Sequence, residues 1–309
     1  MLNADEFQIA RQEFLSHLRY TKGYSVATCY SYRSDLGIWG QWVAAAGKDW
    51  QRAKPVDVEQ FIAWQLRIQG IGAHIVARRI SCLSSFYKWA RKHEIVVDDP
   101  VYQAEKPKRP QRMPVWLEKE EQAALMAAVR NVEDIPPNIF GRPRERLQAT
   151  RRRYEILFTL LLNSGLRISE ALSLRVRDIR LSDGIAKSLR VIGKGDKERL
   201  VPLPQTFGEV FGFWIKDRPK EECVFAQKPG GKPPTVQSVR AYLRNLNKRA
   251  NIQKKVTPHK LRHTYATNLL NAGAELVDIQ ALLGHVNLAT TQIYTHVDEE
   301  RMANVVAKL

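Results

Sequence analysis

The chain has 309 residues, which is long enough for two domains that each bury a core. Lysine and arginine outnumber aspartate and glutamate by 49 to 32, which gives a formal net charge of +17. Such an excess favours a polyanionic partner, and nucleic acid is the usual one. A ribosomal or heparin-binding type of basic surface is the alternative, but a hydrophobic content of 44% indicates a packed globular protein.

Cysteine usage and hydropathy bear on the compartment. The three cysteines, Cys29, Cys82 and Cys223, are odd in number and far apart, which indicates a reducing environment without a disulfide framework. The first thirty residues hold no apolar signal segment, and no apolar run reaches membrane length. We therefore expect a cytoplasmic protein with no membrane partner.

The N-terminal third shows helical periodicity throughout. Its apolar spacing predicts four short helices with basic faces between residues 5 and 93. Ser25 is expected to cap the second helix and Asp57 the third. The fourth should follow Gly72 and bury Ile75 or Val76, Ile80, Leu83, Phe86 and Tyr87. For any single basic residue, simple solvation is as good an interpretation as contact with a polyanion. We assign residues 1–99 to this helical domain.

Residues 100–114 lose the periodicity and alternate prolines with basic residues. Prolines keep such a segment extended, and its charges could either follow a phosphate backbone or be solvated. We interpret it as a basic linker, so a second domain is expected at 115–309.

The second domain begins with a helix predicted from Leu117 to Arg130, which has glutamates near its N-terminus. The segment from Asn131 to Arg153 is rich in proline and arginine, and we expect a loop there. Contact with DNA and contact with a neighbouring subunit both remain open for it. If Arg151 to Arg153 contact phosphates, neutralising them should weaken DNA binding and flatten its salt dependence.

An apolar helix is predicted from Tyr154 to Leu162, and it runs into the sequence NSGLRISEAL. Gly165 is expected to break that helix, and Arg167 is expected to start the next one. Glu170 then lies one turn later, where it suits a local ion pair.

Two strands are expected next, at Ser188–Ile192 and Arg199–Leu203, joined by the turn GKGDK. That turn carries Lys194 and Lys197, and on its own it indicates no more than a solvent-facing hairpin. A basic helix predicted from Thr235 to Ala250 is a candidate for contact with a DNA groove or backbone.

The last stretch places reactive side chains at the ends of helices. Thr257 and the proline after it suit a helix cap and a first helical residue, and His259 and Arg262 share one face of that helix. Glycines end this helix and the next, so the second helix delivers His285 and a final short helix presents Tyr294. Such an arrangement can gather side chains around one anion.

Together these patterns resemble the tyrosine recombinases, the phage integrase superfamily, and most closely its Xer-like and integrase members. The matching motifs are the HxxR of His259 and Arg262, the LGH that ends at His285, a tyrosine nine residues later, and the GLRISE box around Arg167. The resemblance implies a mainly α protein. A helical, SAM-like core-binding domain would precede an α+β catalytic domain with a small antiparallel sheet, the DNA breaking-rejoining fold.

By this resemblance the chain is a site-specific recombinase that cleaves duplex DNA through a 3′-phosphotyrosine intermediate, without metal, ATP or another cofactor. Tyr294 would be the nucleophile. The other implied catalytic residues stabilise the phosphate or move protons: Arg167 and Arg262 for its charge, His259 for the nucleophile's proton, His285 for a hydrogen bond to the phosphate, and Lys194 for the leaving 5′ oxygen. A catalytically silent DNA-binding regulator of the same fold is the alternative function.

The implied partners are a double-stranded recombination site and further copies of the chain, in a homotetramer that exchanges C-terminal helices. In the alternative arrangement, the terminal residues Met302, Val305, Val306 and Leu309 pack on their own domain. A partner recombinase or accessory protein, the target sequence and the biological role remain open. Zinc on His259 and His263 is also weighed, but no HExxH is present, and neighbouring cations argue against it.

Overall fold

The structure is a computed structural model, and it describes residues 2–106, 115–131, 144–193, 198–284 and 306–307. The chain divides into two compact units, Met1–Arg112 and Met113–Leu309. In the described residues the first unit is helical, and the second combines helices with a small sheet. This is the mainly α architecture that the sequence predicts. No helix within the described ranges is long and apolar enough to cross a membrane.

The first unit packs its helices around an aromatic core. Its helices are α1 (Leu2–Ser16), α2 (Val26–Ala45), α3 (Pro55–Ala63), α4 (Ala73–Lys92) and α5 (Pro100–Gln103). The face of α4 that was predicted to be buried is buried, with Ile80, Leu83, Phe86 and Tyr87 inside. The largest fully buried side chains of this unit are Phe14, Leu36, Trp39, Trp50, Phe61, Leu83, Phe86 and Tyr87. Aromatic side chains of this size contribute most of the burial that stabilises so short a unit.

The helix caps of this unit test two predictions. Ser25 caps α2 as predicted, and its Oγ accepts a hydrogen bond of 3.1 Å from the N–H of Thr28. The prediction that Asp57 caps the third helix is wrong, since α3 already begins at Pro55. Proline suits the first helical position, so the cap is Lys54 and the helix starts three residues earlier than predicted. The Asp57 carboxylate instead accepts the backbone N–H of Lys54 at 2.8 Å.

The predicted linker begins with a helical turn. Asp99 Oδ1 accepts the N–H of Val101 at 2.9 Å, which starts α5, and Val101 is completely buried in the core of the first unit. Residues 107–114 of the predicted linker lie outside the described residues. The boundaries 1–99, 100–114 and 115–309 stay a prediction.

The second unit packs helices against a three-stranded antiparallel sheet. Its described elements are α6 (Lys119–Arg130), α7 (Arg144–Ser164), α8 (Ile168–Ser173), β1 (Ile179–Ser182), β2 (Ile185–Ile192), β3 (Glu198–Pro202), α9 (Gln205–Ile215), α10 (Val236–Arg249), α11 (Pro258–Asn271) and α12 (Leu276–Leu283). The strands lie in the order β1-β2-β3, and Val191 pairs with Arg199 across the predicted hairpin. The sequence did not predict β1, because only Ile179 of its four residues is buried and no alternation results.

The predicted loop at 131–153 is wrong for residues 144–153, which form the first turns of α7. Arg151 donates to the carbonyl oxygens of Val129 and Arg130, which end α6 and have no partner within that helix. Arg153 donates to Ala226 O at 3.1 Å and to Gln227 O at 3.0 Å. Arg151 and Arg153 are buried, and they join segments of this unit. Of the three arginines at 151–153, only Arg152 is exposed enough to approach DNA. Residues 132–143 lie outside the described residues.

Candidate active site

Of the six predicted catalytic residues, the structure describes Arg167, His259 and Arg262. Lys194, His285 and Tyr294 lie outside the described residues, and their placement stays a prediction. The described three come from the start of α8 and the first two turns of α11. Arg167 and Arg262, distant in sequence, meet at one buried carboxylate and at the end of α12.

That carboxylate belongs to Glu170, which is 7% exposed. It accepts hydrogen bonds from Arg167 Nη1 at 2.8 Å and from Arg199 Nη2 at 2.9 Å. Arg262 completes the cluster, with its Nη1 at 3.9 Å from Glu170 Oε2. One negative charge therefore faces three guanidinium groups, and the cluster carries an excess of positive charge. We call Glu170, Arg167, Arg199 and Arg262 the arginine cluster.

The local sequence explains how Arg167 and Glu170 meet. Arg167 is the residue just before α8, and Glu170 occupies the third helical position. A glutamate at that position reaches back to the cap residue, and Glu170 Oε2 accepts the backbone N–H of Arg167 at 2.8 Å. The negative charge is also favourable near the N-terminal end of the helix dipole. The ion pair expected from the sequence is confirmed.

Gly165 breaks the preceding helix as predicted, and the structure shows why this position needs glycine. Its φ is +58°, and an added Cβ would clash with Cδ1 of Tyr265 and lie 2.8 Å from Cδ2 of Leu283. The resulting turn aims the Gly165 carbonyl at Arg262, whose Nη1 donates to it at 2.8 Å. Gly165 therefore brings the chain before Arg167 into contact with both α11 and α12.

The helix ends predicted around Arg262 are confirmed. Thr257 Oγ1 accepts the N–H of Lys260 at 3.3 Å, and Pro258 is the first residue of α11. Gly273 follows the end of α11 with a φ of +85°. Gly284 ends α12 with a φ of +63°, in the left-handed conformation that favours glycine. The sequence thus located both ends of the segment that leads to His285.

The arginine cluster also binds the last carbonyl groups of α12. Arg199 Nε donates to Leu282 O at 3.2 Å and Arg262 Nη2 to Leu283 O at 2.5 Å, while Arg167 Nη2 lies 3.4 Å from Gly284 O. These carbonyl groups lack helical partners and carry the negative end of the helix dipole. Three arginines therefore fix the chain immediately before His285.

Arg199 is the member of the cluster that sequence analysis missed. It was assigned to a strand without a role in the site, as an arginine that follows a solvent-facing turn. In the structure only 14% of its side chain is exposed. Its partners, Glu170 and Leu282, lie on α8 and α12, and no local spacing in the sequence relates β3 to either helix.

Electrostatics within the cluster follow from burial and close charges. Burial lowers the pKa of Arg262 to about 10, and the positive charges of Arg167 and Arg199 add to the effect of burial. Arg262 stays protonated at neutral pH. Burial alone would raise the pKa of Glu170, but hydrogen bonds from Arg199 and Arg167 outweigh it and hold that pKa below its usual value. Glu170 and Arg262 are therefore both charged near pH 7.

His259 lies beside this cluster in the first turn of α11, and it is only partly exposed. Partial burial lowers the pKa of His259, and the charges of Arg262, His263 and Arg167 lower it further. A neutral imidazole at pH 7 can accept a proton.

Two neighbours of His259 have other surroundings. Tyr265 is completely buried, and burial raises its pKa. His263 lies edge-on to Trp116, with ring centroids 6.5 Å apart. In the part of the chain that the structure describes, no three His, Cys, Asp or Glu side chains could hold a metal together.

Known proteins share both units. The family model described as the phage integrase family matches residues 116–301, and that of the phage integrase N-terminal SAM-like domain matches residues 12–94. A tyrosine recombinase XerD from Proteus mirabilis is 34% identical, over 97% of this chain and 92% of its own length. A tyrosine recombinase XerC from Xanthomonas campestris pv. campestris is 33% identical, over 98% of this chain and 88% of its own.

Solved structures share the fold. The crystal structure of XerH site-specific recombinase bound to palindromic difH substrate, a post-cleavage complex, has a TM-score of 0.68 and 20% identity. That match covers 96% of this chain and 84% of the other. The chain belongs to the phage integrase family and is a tyrosine recombinase of the Xer-like type, a site-specific DNA recombinase.

Proposed function

We propose that this recombinase cleaves duplex DNA with Tyr294 as nucleophile, and that the arginine cluster binds the phosphate under attack. The observation that supports this is the excess positive charge that Arg167, Arg199 and Arg262 place around the single carboxylate of Glu170. Pre-placed guanidinium groups stabilise negative charge that develops on phosphate oxygens in the transition state. Because they stay protonated, they do so at any working pH.

The two predicted phosphate-binding arginines have different exposure. Arg167 is open to a phosphate, since 41% of its side chain is exposed. Arg262 is almost fully buried, and each of its terminal nitrogens uses one N–H on a backbone carbonyl. A guanidinium group has a second N–H on each of these nitrogens, which can serve a phosphate oxygen. We propose that Arg167 binds the phosphate directly and that Arg262 both contributes these N–H groups and orients the end of α12.

The reaction proposed is an in-line displacement at phosphorus. A bond forms between the Tyr294 oxygen and phosphorus, the bond from phosphorus to the 5′ oxygen breaks, and the products are a 3′-phosphotyrosyl link and a free 5′ hydroxyl. A phenol has a pKa of about 10, so its proton needs an acceptor at neutral pH. We assign that proton to His259, whose lowered pKa keeps it neutral.

The remaining assignments follow the family resemblance. Lys194 would protonate the departing 5′ oxygen, and His285 would hydrogen-bond the phosphate. Attack by the 5′ hydroxyl of another strand reverses the step and releases Tyr294. Because the phosphotyrosyl link preserves the bond energy, religation would need neither ATP nor metal.

We further propose that the chain binds a double-stranded recombination site in the cytoplasm, as a homotetramer on two sites. The XerH recombinase that shares this fold is bound to a difH substrate in its solved structure, which supports the assignment of DNA as the partner. Exchange of C-terminal helices between copies would involve Val306, which is completely buried against α11 and α12 of its own chain. A requirement for a partner recombinase or accessory protein would show as an adduct that forms only when that protein is added to the trapping assay described below.

Covalent trapping tests the proposed function. The binding site is first selected from random duplexes and from DNA flanking the gene, and it is then nicked so that cleavage releases a short strand and prevents religation. In EDTA, the wild type should form an adduct on a denaturing gel, and Tyr294→Phe should form none. Tyr265→Phe is the matched control. Because Tyr265 is buried, this substitution should leave adduct formation intact. DNA binding without an adduct in the wild type would favour the silent regulator instead.

A further inference from the structure

We infer that Arg199 is a positioning residue that aligns the hairpin carrying Lys194 with Arg167 and with the end of α12. The inference rests on the proposed function of Lys194. Arg199 is the second residue of β3, and it pairs with Val191, one pair away from the turn of the hairpin. The turn that carries Lys194 lies directly between these two strands in the sequence. Whatever fixes Arg199 therefore fixes the base of this turn.

Arg199 makes contacts in two directions. Its Nη2 and Nη1 lie 2.9 and 3.3 Å from the two oxygens of Glu170, a paired contact with one carboxylate. Its Nε donates to Leu282 O at 3.2 Å. A guanidinium group can make both contacts at once because its donors are held in one rigid plane. One side chain thereby links β3 to α8 and to α12.

Gly284 leaves room for this link. An added Cβ at Gly284 would lie 3.3 Å from both Cδ and Nη1 of Arg199. The guanidinium group of Arg199 thus packs on the backbone just before His285. Its other partner, Glu170, binds both the side chain and the backbone N–H of Arg167. Arg199 therefore holds β3, and with it the base of the turn that carries Lys194, against α8 and α12.

The chemistry of the leaving group separates positioning from simple stability. If Arg199 acts through Lys194, its loss should slow the step in which the 5′ oxygen takes a proton. A 5′-bridging sulfur leaves as a thiolate and needs no such proton. We therefore measure single-turnover adduct formation at saturating protein on two nicked duplexes, one with oxygen and one with sulfur at the scissile 5′ position.

The expected pattern is specific. On the oxygen substrate, Arg199→Gln should be about 100-fold slower than the wild type, as for a misplaced catalytic group. Arg199→Lys should not restore the rate, because a point charge cannot span Glu170 and Leu282 O. On the sulfur substrate, the rate of adduct formation by Arg199→Gln should return most of the way to the wild-type rate. The rate of Lys194→Ala should do the same. DNA affinity, measured in the Tyr294→Phe background, should change by less than about twofold.

Arg218→Gln is the matched control for a structural role. Arg218 likewise joins a carboxylate to backbone carbonyls, with Glu222 Oε1 at 3.2 Å, Trp214 O at 3.2 Å and Val224 O at 3.1 Å. Its side chain is 21% exposed, and none of these partners belongs to the arginine cluster. Arg218→Gln should lower the melting temperature about as much as Arg199→Gln, but leave the cleavage rate per active molecule unchanged.

Three outcomes would overturn the inference. Arg199→Gln could cleave at the wild-type rate per active molecule, or it could be equally slow on both substrates while Lys194→Ala recovers on sulfur. Either result leaves the proposed function standing and removes Arg199 from it. If Lys194→Ala itself fails to recover on sulfur, the proposed function of Lys194 is wrong, and the inference about Arg199 falls with it.

Discussion

Gly165→Ala should destabilise the catalytic unit by two separable effects. The first is conformational, because Gly165 has a φ of +58° and the left-handed conformation costs a residue with a Cβ about 1 to 2 kcal/mol. The second is steric, because the new methyl group would clash with Tyr265 and approach Cδ2 of Leu283 to 2.8 Å. Overpacking of this kind costs about 1 to 3 kcal/mol. The sum is about 2 to 5 kcal/mol, or a fall of about 4 to 20 °C in melting temperature for a unit of this size.

Gly273→Ala isolates the conformational effect. Gly273 lies in the same unit with a φ of +85°, and an added Cβ there would meet nothing within 4 Å. Gly273→Ala should therefore lower the free energy of unfolding by the conformational effect alone, about 1 to 2 kcal/mol. Any change in the entropy of the unfolded chain is common to Gly273→Ala and Gly165→Ala. The assay is calorimetry of the full chain. The melting temperature is read from the transition that both variants shift to lower temperature.

A double-mutant cycle with Tyr265→Leu then tests the steric effect. If the methyl group and the Tyr265 ring compete for one space, the double variant should be more stable than the sum of the single effects by about 0.5 to 3 kcal/mol. Equal destabilisation by Gly165→Ala and Gly273→Ala, together with strict additivity in the cycle, would refute the close approach of Gly165 to α11.

Further predictions concern ionisation and charge. Glu170→Gln should destabilise the chain by about 3 to 5 kcal/mol at neutral pH, because it leaves buried guanidinium groups without their counter-charge. The pKa of Glu170 is lowered from 4.5, so this contribution is present above pH 4.5 and is lost as pH falls through the folded-state pKa; urea unfolding at several pH values should show the difference between variant and wild type shrink on acidification. The pKa of His259 is lowered from 6.5, so adduct formation should be constant near pH 7 and fall with a midpoint below 6.5; a His259→Gln profile with the same inflection would argue against His259 as the proton acceptor. Arg153→Gln should cost about 1 to 3 kcal/mol through its lost carbonyl partners. It should leave the salt dependence of DNA binding unchanged, whereas a slope reduced by about 1 would mean that Arg153 does contact phosphate.

Local sequence signals located the site well where single elements determine it. The cap at Thr257, the glycine at 284 and the GLRISE box each act within one turn of helix, so their spacing is readable directly. The same holds for the apolar face of α4, whose predicted inward residues Ile80, Leu83, Phe86 and Tyr87 are all buried.

Long-range partners explain what the sequence did not predict. Arginines near Pro143 indicated a loop and possible phosphate contacts, but Arg151 and Arg153 bind carbonyl groups of α6 and of the segment after α9. Arg199 was missed for the same reason, since its partners become neighbours only when α8, α12 and β3 pack together. An arginine that satisfies buried carbonyl groups and one that binds DNA look alike in sequence, and only burial distinguishes them.

Mapping the covalent adduct is the most direct test of the account. The adduct formed by the wild type in EDTA on the nicked duplex is digested with trypsin, which releases Tyr265 and Tyr294 in one peptide between Arg262 and Arg301. Fragmentation of that peptide then assigns the nucleotide to one tyrosine. The strand's 3′ phosphate should be attached to Tyr294. A nucleotide on Tyr265 or on any other residue, or an adduct that requires a divalent metal, would contradict the proposed reaction.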